Sequence, residues 1–237
     1  MMTHFTPSST VRNRLLSALP PDNLARLFPK LRAVSLPLRK TLAVPQQPIE
    51  AVYFIESGFA SVVAQLDDGT QAEIGLIGRE GMVGLPLVVG VDTAFAETYI
   101  QADATGLQMD APAFQRELDE NPDLRRLLFR YAEAMSAQTA QTAACNGRHD
   151  LEPRLAKWLL MAHDRSEGDE LLITQEFLAL MLCVHRPSIT VVARILQRAG
   201  LIRYSKGSIS ILDRAALEAT ACDCYRTVQD RFKYLLG

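Results

Sequence analysis

The chain has 237 residues, 48% hydrophobic and 22% charged, with a formal net charge of −2. That length fits one or two domains around a sizeable core. No run of 18 uncharged apolar residues occurs and the opening MMTHFTPSSTVRNRLL lacks an apolar signal-peptide centre, so neither a membrane partner nor export is expected, and a cytoplasmic protein is.

Charge is unevenly spread. Residues 1–147 hold 12 Lys+Arg against 16 Asp+Glu, whereas 148–237 hold 13 against 11. Within 183–214 the basic residues Arg186, Arg194, Arg198, Arg203, Lys206 and Arg214 face a single acid, Asp213. A basic stripe on a mildly acidic chain suits a polyanion docking at one place. The four cysteines, Cys145, Cys183, Cys222 and Cys224, lack the paired C-x-x-C spacing of a zinc or iron–sulfur site. They are expected to be reduced structural thiols with no metal or cofactor, a redox-active Cys222/Cys224 pair being the alternative.

In chain order, 34–110 predict β structure. AVYFI at 51–55 is rich in strand formers and stops at Ser57-Gly58; strands at 59–66 and 71–77 follow, joined through Asp68-Gly69. That dipeptide is a hairpin signal because both central residues of a type I′ turn need positive φ. Short strands with frequent turns predict a small antiparallel barrel or jelly roll. Residues 112–147 predict helix, with Asn121 as a cap and Pro122 in a first turn. Leu124, Leu127, Leu128, Tyr131, Met135, Gln138 and Thr142 share one face by their spacing. This long face needs cover from the barrel, from the same helix of a second chain, or from each in different turns.

Residues 148–237 predict a helix at 151–163, a strand at 171–173, helices at 175–183 and 187–199, a hairpin of 201–204 and 208–212, and a closing helix. Thr174 suits an N-cap, Pro187 a first turn and Gly200 a C-terminal stop. The helix at 187–199 is expected to bury Ile189, Val192, Ile195, Leu196 and Ala199. Two helices joined by a tight turn, followed by a basic hairpin, form the winged helix-turn-helix pattern. Its second helix presents Arg186, Pro187, Ser188, Thr190, Val191 and Arg194. Arg186 is placed to offer a bidentate fork to guanine, and Val191 a contact to a thymine methyl. Arg194 and Lys206 neutralise phosphate, and Thr174 and Gln175 turn a helix N-terminus toward it.

ITQEFLALMLCVHRPSITVVARILQRAGLI, residues 173–202, resembles without a gap the helix-turn-helix signature of the cyclic-AMP receptor/fumarate-nitrate regulator (Crp/Fnr) family of bacterial transcription factors. YFIESG at 53–58 and GMVG at 81–84 resemble that family's barrel and ligand cassette. The resemblance implies an α+β chain with an N-terminal β-roll sensor like a cyclic-nucleotide-binding domain (1–120), a long dimerisation helix (121–147) and a C-terminal winged helix-turn-helix (148–237). It also implies a homodimer on a palindromic operator in double-stranded DNA, touching RNA polymerase if it activates.

Departures narrow this reading. The cassette's Gly falls on Gly84, but its Glu position holds Leu85, and the Arg-Ser pair that holds cyclic phosphate falls on Ala96 and Glu97. A buried phosphate needs a charge-assisted partner; Ala96 supplies none and Glu97 repels it. The expected signal is therefore unknown and not cyclic AMP. No cysteine precedes Cys145, so the N-terminal iron–sulfur cluster is absent, and His4 and His149 are read as ordinary surface rather than haem ligands. Of the family's Arg-Glu…Arg reading trio only Arg186 remains, beside Pro187 and Val191. A regulator without an effector is the alternative. A barrel enzyme is disfavoured, because 34–110 contain no His to hold a catalytic metal.

Overall fold

The computed structural model describes residues 11–67, 69–205 and 207–237. Two short helices, α1 (Arg14–Ser17) and α2 (Pro21–Leu27), lead into β1 (Arg32–Leu36), β2 (Thr41–Ala43), β3 (Ala51–Gln65), β4 (Gln71–Ile77), β5 (Met82–Val83) and β6 (Glu97–Asp110). These six strands form one antiparallel sheet in the order β1-β6-β3-β4, with β2 on β6 and β5 on β3. The long strands β3 and β6 curl over a core that includes Phe54, Ile100, Leu107 and Phe114.

The stop expected at Ser57-Gly58 is not a break. β3 runs straight through it, and its register against β6 slips between Ile55 and Ser57 and again up to Ala60. Gly58 sits at φ +67°, where a Cβ would lie 2.4 Å from the Asp103 carbonyl oxygen. The glycine makes a bulge that bends one strand rather than ending it. At the next turn Gln65 pairs with Gln71 and Gly69 has φ +80°, while Asp68 lies outside the described residues.

The helices α3 (Ala111–Glu120) and α4 (Pro122–Arg148) follow. They are separated by Asn121, whose side chain accepts from the Leu124 amide at 3.0 Å and so caps α4. α4 has 27 residues, on the order of 40 Å at 1.5 Å per residue. The face expected to be covered by the barrel and by a second chain in different turns packs on its own roll over most of its length. Leu124, Leu128, Tyr131, Met135 and Gln138 are buried, Leu127 is half-buried against the same core, and Thr142 is half-buried too. The Tyr131 hydroxyl donates to Met82 O at 3.1 Å and Gln138 Nε2 donates to Leu76 O at 3.2 Å. Tyr131 and Gln138 thereby anchor α4 to β5 and β4 of its own chain.

The remainder is α5 (Leu151–His163), β7 (Glu170–Leu171), α6 (Gln175–Met181), α7 (Arg186–Arg198), β8 (Ile202–Ser205), β9 (Ser208–Ile211), α8 (Arg214–Thr220) and α9 (Cys224–Leu236). A three-stranded sheet, β7-β9-β8, backs the helices. The core of this part includes Phe59, Val63 and Leu76 of the roll, so the two halves share buried surface. α9 turns back along α4: Phe232 and Leu236 pack on the roll core, and Arg231 pairs with Glu133. Among the described residues no single helix is long and apolar enough to cross a membrane.

Candidate nucleic-acid interface

α6 and α7 meet at 107°, within the range of a helix-turn-helix. Thr174 caps α6, its hydroxyl oxygen accepting from the Phe177 amide at 3.2 Å. α6 ends at Met181, and the chain reverses through Cys183 in the left-handed region at φ +54°. α7 then starts at Arg186 with Pro187 in its first turn, where the missing N–H has no helical partner to lose. Ile189, Val192, Ala193 and Leu196 are buried. Ile195 and Ala199 are exposed rather than buried; Ala193 takes the inward position instead, because the packed stripe of α7 is narrower than the run of apolar residues.

The opposite side of α7 faces solvent. Arg186, Pro187, Ser188, Val191, Arg194, Ile195 and Arg198 are all exposed, with Val191 58% accessible. Arg186 Nε lies 2.8 Å from Glu176 Oε1 of α6, and both side chains are exposed. Such a pair contributes about 0–1 kcal/mol, so a base edge or phosphate competes with it readily. Two expected contacts are committed to the protein itself. Gln175 is buried, and its Oε1 accepts from Thr190 Oγ1 at 2.7 Å; this bond pins α6 to α7. Of this pair only Thr190 keeps partial exposure. Sequence reading also missed the bond from the Tyr204 amide to Gln197 Oε1, 2.8 Å, which ties β8 to α7. The hairpin pairs Ser205 with Ser208; Lys206 at its tip lies outside the described residues.

Residues 153–220 match the Crp-like helix-turn-helix domain. The CRP-like cAMP-activated global transcriptional regulator of Mycobacterium tuberculosis is 25% identical over 219 residues, covering 89% of this chain and 97% of its own length. The chain is similar to transcription regulators of the Crp/Fnr family. The fold is shared with FixK2 of Bradyrhizobium japonicum, at TM-score 0.69 and 14% identity over 81% of this chain and 98% of that one. The c-di-GMP responsive regulator CLP of Xanthomonas campestris superposes at TM-score 0.64 with 20% identity, over 82% and 100% of the two chains. With its Crp-like helix-turn-helix, the chain is a DNA-binding transcription regulator, not an enzyme, with an α+β fold of β-roll and winged helix.

A cavity of about 310 Å³ opens between the roll and α4. Gly84, Leu85 and Ala96 line it together with Val62, Met82 and Met135. Glu97 does not line it; its Oε2 accepts from Gln71 Nε2 at 3.4 Å. Gly84 is held at φ +105°, and a Cβ there would meet Val52 Cγ1 at 2.7 Å, so the cassette glycine serves a close packing contact. The lining includes Thr98, Ser136 and Thr139 but no charged side chain.

The roll and the winged helix also meet through a buried carboxylate. Glu73 of β4 accepts from Trp158 Nε1 at 2.6 Å and from Ser61 Oγ at 2.8 Å. Burial raises its pKa from 4.5 to about 7, opposed by these two hydrogen bonds and by the charges of Lys157 and Arg165. Arg165 itself pairs with Glu80 at 2.6 Å.

Proposed function

We propose that the regulator acts in the cytoplasm as a homodimer on a two-fold related operator, with 1–120 as sensor, 121–147 as the pairing helix and 148–237 as the DNA reader. The observation that carries this reading is the solvent-facing side of α7, where Arg186, Arg194 and Arg198 surround Ser188 and Val191. Arg186 reads a guanine, Val191 touches a thymine methyl, and Arg194 neutralises phosphate. Thr174 brings the α6 N-terminus to the backbone. Gln175 and Thr190 set the angle between the helices.

The pairing surface is the solvent-exposed side of α4, whose edge borders the cavity at Ser136. Phe129, Ser136, Ala140, Ala143 and Gly147 are exposed there at helical spacing, and small residues let two helices approach closely. Signal enters at the apolar cavity, which borders α4 at Ala132, Met135 and Ser136. Cyclic AMP activates the Mycobacterium relative and c-di-GMP acts on CLP. Here the lining offers no cation for a phosphate, so the effector is an uncharged small molecule. An activating role would add contacts to RNA polymerase.

Selection of bound duplexes from a random pool tests the reading. Two inverted half-sites about 34 Å apart centre to centre are expected. Direct repeats, or tight binding by a monomer, would refute the symmetric arrangement.

A further inference from the structure

Four metal-ligating side chains outside the DNA-reading surface converge at the joint between α4 and α9. Cys145, His149, Cys222 and Cys224 bring one ligand atom each to within 4.8 Å of one another. Two come from the end of α4: Cys145 in its last turn and His149, four residues on, at its C-cap, so both project from one side. The other two flank Asp223, the residue that opens α9. Cys145 and Cys224 are buried, while Cys222 and His149 are half-buried.

The spacing suits one ion. Cys145 Sγ lies 3.5 Å from Cys222 Sγ, and Cys224 Sγ lies 3.4 Å from His149 Nδ1. Tetrahedral zinc binds sulfur at about 2.3 Å and nitrogen at about 2.0–2.1 Å, which sets ligand-to-ligand edges of roughly 3.5–3.8 Å. An iron–sulfur cluster divides its four protein ligands among two or more iron atoms and so spreads them wider than this envelope. Soft thiolates with an imidazole favour zinc over magnesium or calcium. The surroundings are also those of a held metal. Gln141 Nε2, one turn before Cys145, donates to Cys224 Sγ at 3.0 Å, an N–H···S bond that orients a ligand. Buried Lys157 acts on Cys145 by its charge, which offsets the surplus of three thiolates over a dication. A Cys145–Cys222 disulfide would use two of the four groups and leave Cys224, His149 and Gln141 without a purpose.

We propose that Cys145, His149, Cys222 and Cys224 bind a single zinc ion that fastens the C-terminal end of α4 to the start of α9. The ion would fix the hinge at 148–150, across which the long helix passes into the winged helix.

The full chain, purified under reductant and dialysed against zinc with a competing chelator, is expected to retain one zinc per chain by elemental mass spectrometry. Cobalt(II) in its place should give the intense visible bands of a tetrahedral site and a near-ultraviolet thiolate-to-metal band. His149→Gln, at the edge of the site, should keep the circular dichroism of the parent and lower zinc affinity by at least about a hundredfold; Gln141→Ala should lower it about tenfold. Unchanged zinc binding by a Cys145→Ser/Cys222→Ser chain, a weak octahedral cobalt spectrum, or a Cys145–Cys222 disulfide in protein isolated under reductant would each overturn the site. None of these measurements involves DNA, so they stand apart from the operator test.

Discussion

Arg186, the proposed reading residue, is held by Glu176 before any target arrives. The pair is exposed, so it positions the guanidinium without trapping it. Arg186→Ala should cost about 1–3 kcal/mol on the selected operator and relax preference at one base pair. Glu176→Gln should tighten binding by at most about 1 kcal/mol, since only a screened pair is lost. Arg194→Ala should weaken operator and scrambled duplex alike and reduce the salt slope. Titrations with both duplexes at two salt concentrations separate these outcomes; equal losses on both duplexes for Arg186→Ala would contradict its role. Glu73 behaves differently because it is buried. Its folded pKa is raised, so the stability linked to it is present when the carboxyl is protonated and is lost as pH rises from about 5 through about 7. The full effect is roughly 3 kcal/mol. Thermal melts across pH 5–8 should show a decline that Glu73→Gln abolishes, since the amide can still accept from Trp158.

At the scale of elements, α4 is two surfaces on one rod. Its apolar spacing was legible in the sequence, but periodicity says only that a face is covered and not by what. Tyr131 and Gln138 reach backbone carbonyls of β5 and β4, a fact of tertiary position that no local pattern carries. The surface left for a second chain is built from alanines, serine and Phe129, residues too ordinary to stand out in a helix. Ala140→Arg should therefore dissociate the proposed dimer and lower operator affinity while leaving the melting temperature of the monomer little changed; sedimentation velocity checks this, and a persistent dimer would move the interface elsewhere. β3 was misread for a related reason. Ser57-Gly58 looks like a turn, and only the approach of the Asp103 carbonyl reveals a bulge. By contrast α7 was readable to within a residue at each end, because Pro187 and Gly200 act through the local backbone.

For the molecule as a whole, the fold was legible where the signal lay within thirty contiguous residues and illegible where it lay across the chain. The helix-turn-helix is of the first kind. The cysteine cluster is of the second: Cys145 and His149 are a short pair, Cys222 and Cys224 another, and neither has the familiar zinc spacing. Their meeting depends on α9 folding back along α4. That return path bears on how regulators of this shape can be recombined. A hybrid joined at 148–150, where α4 ends and α5 begins, would take α9 from one parent and α4 from the other. It would sever Glu133 from Arg231 and Cys145 from Cys222 in a single cut. A donor reader should instead be transplanted as 151–220, with the recipient keeping its own final helix, so that the grafted part arrives without breaking the strap that spans the junction.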